Sequence, residues 1–189
     1  MSDGVIQDFL DEAKARMQKS VEATKTEFAT VRTGRASPHL LDRIEVDYYG
    51  ATTPLRQLSQ ISASEARLLT ITPYDKNSIK AIEKSILESD VGLTPSNDGQ
   101  VIRLSIPELT EERRRDLVKI VHNIAEQGRV AVRNIRRDVQ HDLRDLKNEG
   151  EVGSDDEHRA ESELQKLTDA RVGEIDKLLA GKEEEILEV

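Results

Sequence analysis

The chain has 189 residues, 34% of them charged, a net charge of −9, few aromatics and no cysteine or tryptophan. That length can bury a core as one domain or two, and the core must be aliphatic. Disulfides, thiolate metal sites and a cysteine nucleophile are excluded, and no run approaches the roughly eighteen apolar residues of a membrane span. Asp3, Asp8, Asp11 and Glu12 argue against a transit peptide, so the expectation is a soluble, cytoplasmic protein with no membrane contact.

Over residues 2–33, Val5, Phe9, Ala13, Met17, Val21, Thr24, Phe28 and Val31 recur at mostly four-residue steps, which predicts an amphipathic helix. It ends at the run RTGRASP, residues 32–38, where Gly34 can take a left-handed cap and Pro38 pushes Ser37 into an extended conformation. Residues 37–108 differ in character, because all five prolines of the chain lie there. Ile44–Tyr48 alternates like a strand and Gly50 offers a turn. Arg67–Thr72 reads as a second strand, and Val101–Ile106 as a further one after the turn at Asn97–Gly99. Between them Ser78–Ser89 reads as a short helix capped by Asn77 or Ser78.

The stretch Leu109–Lys147 has no proline and a single glycine, Gly128. Thr110 is its expected N-cap, with Glu111 and Glu112 complementing the helix dipole. Leu117, Ile120, Val121, Ile124, Ala131, Val132, Ile135, Val139, Leu143 and Leu146 fall within an arc of about 140°. Arg115, Lys119, His122, Arg129, Arg133, Arg136, Arg137, Arg144 and Lys147 fall in a second arc about 100° wide on the far side. This predicts one long helix with an apolar seam and a basic stripe. A turn over 148–153 follows, and Ser154 with Glu157 predicts a capping box opening a last helix. Its apolar side is Ala160, Leu164, Leu167, Ile175, Leu178, Leu179 and Ile186, weakened by Gly173 and Gly181.

The fold class expected is α+β. An elongated antiparallel three-helix bundle is formed by 1–33 and 109–189, and a small β/α/β domain, 34–108, is inserted between its first two helices. The chain crosses between them near 33–37 and 106–109, two hinges about which the domains could rotate.

The net charge is unevenly spread. Residues 111–147 carry ten Lys/Arg against seven Asp/Glu, whereas 149–189 carry five against fourteen. Screening over about 8 Å means that a phosphate beside the stripe would feel mostly the stripe. Arg129, Arg133, Arg136 and Arg137 have no acid between them on their own arc, and guanidinium forks suit phosphate recognition. With no aromatic interleaved, backbone phosphates of a folded RNA are a better target than stacked single strands. Neither a Gly-rich dinucleotide loop nor a P-loop is present, and His39, His122, His141 and His158 lack metal-ligand spacing. No catalytic residue, cofactor, metal or small-molecule substrate is therefore expected, and the weight is against an enzyme. A coiled-coil adaptor binding proteins through its acidic last helix is the alternative that the residues alone leave open.

Several runs together resemble the ribosome recycling factor family: RTGRASP at 32–38, LLD at 40–42, YYG at 48–50, TPLRQL at 53–58, IPELTEERR at 106–114, VAVRNIRRD at 130–138 and KLTD at 166–169. The resemblance implies an L-shaped monomer with a three-helix bundle and a β/α/β domain on a flexible joint. It further implies binding to the post-termination ribosome, with the bundle against large-subunit ribosomal RNA. With elongation factor G and GTP hydrolysed by that partner, the subunits are split and mRNA and tRNA released. Carried over through VAVRNIRRD, the RNA-contacting positions are Arg133 and Arg136, with Arg129 and Arg137 beside them. The joint becomes Arg32, Thr33, Gly34 and Arg35, with Pro107 on the returning strand.

Overall fold

A computed structural model describes residues 2–187; the first position and the last two of the expected bundle segments lie outside that range. The described chain falls into two compact units, one from residues 2–32 and 114–187 and the other from Thr33–Arg113.

The first unit rests on three helices: α1, Ser2–Thr30; α4, Glu111–Asn148; and α5, Ser154–Leu187. α1 buries Ile6, Leu10, Ala13, Met17, Val21, Thr24 and Phe28. At its start this differs from the expected line, since Val5 is exposed and Phe9 only half-buried. Strict four-residue steps advance about 400° and drift around the helix by about 40° each time. Mixing threes with fours, as 6, 10, 13, 17, 21, 24, 28 does, keeps the stripe facing the core. α4 buries Leu117, Val121, Ala125, Gly128, Val132, Ile135, Val139 and Leu143. Ile120, expected in the seam, is exposed, and Ala125 and Gly128 take part in its place. α5 contributes Ala160, Leu164, Thr168, Ile175, Leu179 and Ile186. Each fully buried Leu, Ile or Val contributes about 1.5–3 kcal/mol, so packing rather than propensity holds these helices.

Cross-helix pairs give the directions. Residues 122, 129, 136, 140 and 147 of α4 meet 183, 176, 165, 161 and 157 of α5, so the two are antiparallel. Arg16 reaching Asp138, and Thr24 lying against Gly128, make α1 antiparallel to α4 as well. α1 and α5 then run parallel and line a shared groove, to which Leu10 and Leu167 both contribute. Thr110 Oγ1 accepts from Arg113 N at 3.1 Å, the expected cap of α4. Glu157 does not act as the expected capping-box partner. It is buried at 5% exposure and its carboxylate accepts from Lys147 Nζ at 2.9 and 3.0 Å. A buried carboxylate needs a cation more than it needs a backbone N–H.

In the second unit a hairpin pairs β1, Glu45–Tyr48, with β2, Ala51–Pro54. Its loop is Tyr49-Gly50, both in the left-handed region at φ 50° and 84°, as a type I′ turn requires. One helical turn, α2 (Leu55–Leu58), leads to a four-stranded antiparallel sheet. The strands are β3, Ser59–Glu65; β4, Leu68–Pro73; β5, Pro95–Asn97; and β6, Ile102–Ser105, in spatial order β3-β4-β6-β5. Leu69, Ile71, Ile102 and Leu104 point inward and are covered by Ile79, Ile82 and Ile86 of α3, Ile79–Glu88. Leu41, Ile44, Val46 and Leu55 complete this aliphatic core. Ser78 stands at the N-cap position of α3, as one of the two expected caps, but its side chain makes no capping hydrogen bond. Asp75 accepts from Asn77 N at 2.9 Å and opens a short 3₁₀ turn that runs into the helix.

Candidate nucleic-acid interface

The basic stripe of α4 is there, but its setting differs from the helical-wheel reading. Along one edge it runs beside the acids of the antiparallel α5. Lys147 binds Glu157, Arg144 lies 3.4 Å from Glu161, Arg129 binds Asp176, and His122 pairs with Glu183. The surplus positive charge of one segment and the surplus negative charge of the next are thus stitched together. Periodicity on a single helix cannot show the neighbour that lies against it.

The four arginines divide accordingly. Arg129 sits at 19% side-chain exposure, with Nε and Nη2 donating to Asp176 at 2.8 and 2.6 Å and Nη1 to Glu126 at 3.1 Å. Asp176 first, and Glu126 behind it, hold its guanidinium above the ordinary arginine range against the opposing effect of desolvation. It locks α4 to α5 as firmly as it offers charge. Arg133 is 43% exposed, and its Nη1 lies 3.6 Å from Glu126, too long for a hydrogen bond. Glu126 therefore stands beside the pair, an acid the sequence reading did not place among these arginines. Arg136, half-buried, donates from Nη1 to the neutral Gln165 at 3.1 Å and enters no ion pair among the described residues. Arg137 is exposed and enters no ion pair among the described residues. Arg133, Arg136 and Arg137 form the part of the row most open to an anion, on a helix whose opposite face is packed.

The five residues expected to form a joint lie at the start and end of the second unit and just before it. Arg32 is exposed and Thr33 is buried at 6%. Gly34 has φ 75°, and a Cβ there would come within 2.8 Å of Leu109 Cγ, so both conformation and space favour glycine. Arg35 is exposed, and Pro107 follows directly on β6 and Ile106. Just inside them the two crossings are tied to one place. Ala36 N donates to Ala66 O at 2.7 Å, and Ile106 N to Arg67 O at 2.8 Å. Arg67 also reaches Glu108 at 2.7 Å. The β3–β4 turn thus anchors both strands, an arrangement with no signature in the local sequence.

Sequence reasoning missed Gly128 as well. A Cβ there would collide with Thr24 Oγ1 and stand 3.2 Å from Ile175 Cδ1, so it is where α4 comes closest to its neighbours. Among the described residues no group of three or more His, Asp or Glu is placed to hold a metal ion, and no helix is long and apolar enough to cross a membrane.

Fold and site together define a class: a three-helix bundle with a guanidinium-bearing helix face, its chain interrupted by a small antiparallel domain. Comparison with known proteins narrows this. A family model described as Ribosome recycling factor matches residues 24–187. The ribosome-recycling factor of Rubrobacter xylanophilus is 58% identical over 180 residues, covering 95% of this chain and 97% of its own. That of Bacillus subtilis is 53% identical over 180 residues, with the same shares. A solution structure of a ribosome recycling factor superposes with a TM-score of 0.69 at 44% identity, covering 97% of this chain and 98% of its own. A second match, TM-score 0.62 at 46% identity over 96% of this chain and 98% of its own, concerns the T. thermophilus ribosome recycling factor and the E. coli elongation factor G bound to the E. coli post-termination complex. The chain belongs to the ribosome recycling factor family.

Proposed function

We propose that this chain binds the post-termination ribosome through α4 and, with elongation factor G and GTP hydrolysed by that factor, splits it into subunits. Messenger and transfer RNA are released as a result. The observation that carries this reading is the row Arg133, Arg136 and Arg137, which among the described residues meets no acid closer than Glu126 at 3.6 Å from Arg133, on a helix packed from behind, in a chain of this family. Phosphates of large-subunit ribosomal RNA are the anions it fits, with Arg129 at the head of the row as both contact and clamp. The chain itself supplies binding and leverage rather than catalysis, and acts as a cytoplasmic monomer. The adaptor alternative is not favoured, since acids of the last helix that it relied on are turned to α4. The bundle, 1–33 and 109–189, serves as the footing. The inserted domain, 34–108, moves on a joint formed by Arg32, Thr33, Gly34, Arg35 and Pro107.

Light scattering of post-termination ribosomes tests the function. Scattering is expected to fall only when the chain, elongation factor G and GTP are all present, and a flat trace would overturn the reading. The footing is tested by Arg133→Ala combined with Arg137→Ala. Each phosphate contact contributes roughly 0.7–0.9 to the logarithmic salt slope, so ribosome binding should weaken and its slope fall by about 1.5. Helical circular dichroism should not change, because both side chains face solvent. An unaltered slope would place the contact elsewhere.

A further inference from the structure

Glu126 lies one turn before Arg129 and two before Arg133, and helical spacing puts all three on one face. Its carboxylate divides between them, Oε2 at 3.1 Å from Arg129 Nη1 and Oε1 at 3.6 Å from Arg133 Nη1, while the side chain stays 55% exposed. Arg129 does not depend on it, since Asp176 holds two other guanidinium nitrogens at 2.8 and 2.6 Å. The group on which Glu126 acts without a rival is Arg133. A carboxylate and a phosphate oxygen compete for the same guanidinium fork, and an exposed pair of this kind is weak enough to be displaced.

We propose that Glu126 is a specificity-determining residue of the RNA-binding face, standing in for a phosphate beside Arg133 until a rigid, correctly spaced backbone displaces it. This rests on the proposed function above. A folded RNA that meets Arg133, Arg136 and Arg137 together repays the displacement through several contacts at once. A flexible polyanion that samples the face one phosphate at a time does not, so Glu126 penalises indiscriminate binding more than cognate binding.

The test compares wild type, Glu126→Gln and Asp155→Asn, each titrated against poly(U) and against post-termination ribosomes over a range of salt. Asp155 is exposed at the start of α5 and makes the same change in net charge. It lies more than twenty residues along α5 from the level of Glu126, several screening lengths away. Glu126→Gln is expected to bind poly(U) about threefold or more tightly, with a salt slope steeper by about 0.7. Its ribosome affinity should rise less, so that the ratio of the two falls, and Asp155→Asn should match wild type. Unchanged poly(U) binding, an equal gain on both targets, a loss on both, or an equal effect of Asp155→Asn would each overturn the proposal. Should none of the proteins bind ribosomes, the recycling reading fails, while the poly(U) titration still decides whether Glu126 masks Arg133.

Discussion

A Cβ on Gly128 would press into Thr24 Oγ1, which is already held by its hydrogen bond to Ser20 O at 2.9 Å. Thr24 is β-branched and buried at 5%, so it has little room to turn away. Gly128→Ala adds helix propensity but overpacks this contact, and a net loss of about 1–2 kcal/mol is expected. Thermal melts should show the midpoint falling by several degrees, at about 2–4 °C per kcal/mol for a chain of this size. Adding Thr24→Ala should recover part of that loss, with a coupling energy that a double-mutant cycle reads directly. Gly173 is the contrast, because a Cβ there meets nothing within 4 Å. Gly173→Ala should therefore stabilise by up to about 1 kcal/mol through propensity alone. Both glycines sit inside apolar-periodic helices, and the sign of each substitution is set by what the facing helix brings to that point. A gain from Gly128→Ala would remove the close-approach account.

The elements differ in how far their residues announce them. α1, α3, α4 and α5 were legible because each must hold an apolar stripe at helical spacing, and β4 and β6 because Leu69, Ile71, Ile102 and Leu104 alternate inward. β2, β3 and β5 were not, and the reason is physical. β3 and β5 are the edges of their sheet, β2 is half of a two-stranded hairpin, and their residues are mostly exposed. Backbone pairing to a stronger neighbour makes them strands, and that leaves no apolar alternation to read. The turn between β5 and β6 shows local chemistry that was legible. Asp98 accepts from Gln100 N at 3.0 Å and Val101 N at 2.9 Å, and Arg103 reaches its other oxygen at 3.1 Å. Val101 first, then Gln100 and Arg103, hold the carboxyl down to about 2. The folded value lies below the ordinary carboxylate value of about 3.9. The contribution of this group is therefore complete above that value and fades as pH falls towards 2. Asp98→Asn keeps an oxygen for the two N–H groups but loses the charge. Denaturant midpoints of wild type and variant should differ above pH 4 and converge towards pH 2, and a constant difference would rule out the linkage.

At the scale of the whole molecule, a chain of net charge −9 keeps Arg133, Arg136 and Arg137 clear of the acids of α5, several of which are bound to other basic residues of α4. The arginine row itself was legible from spacing, whereas which of its members an acid ties down depends in part on α5, a helix that begins at Ser154, beyond the end of the row. The proposed joint presents the complementary case. Its residues were marked by composition, but the tie of Ala36 and Ile106 to the single β3–β4 turn was not. That tie makes a mechanical prediction sharper. In the proposed mechanism force applied to the inserted domain enters the joint through an anchored end, and the link after the exposed Arg32 is where slack could be introduced. Inserting two glycines between Arg32 and Thr33 would make that crossing a flexible coil. Ribosome binding, which the proposed function assigns to α4, should stay as in wild type with the same salt slope. GTP hydrolysis by elongation factor G should also proceed, while the fall in light scattering slows. Splitting at the wild-type rate with such an insertion would mean that the small domain transmits no force through this strand, and the lever would have to be given up while the footing on RNA remained.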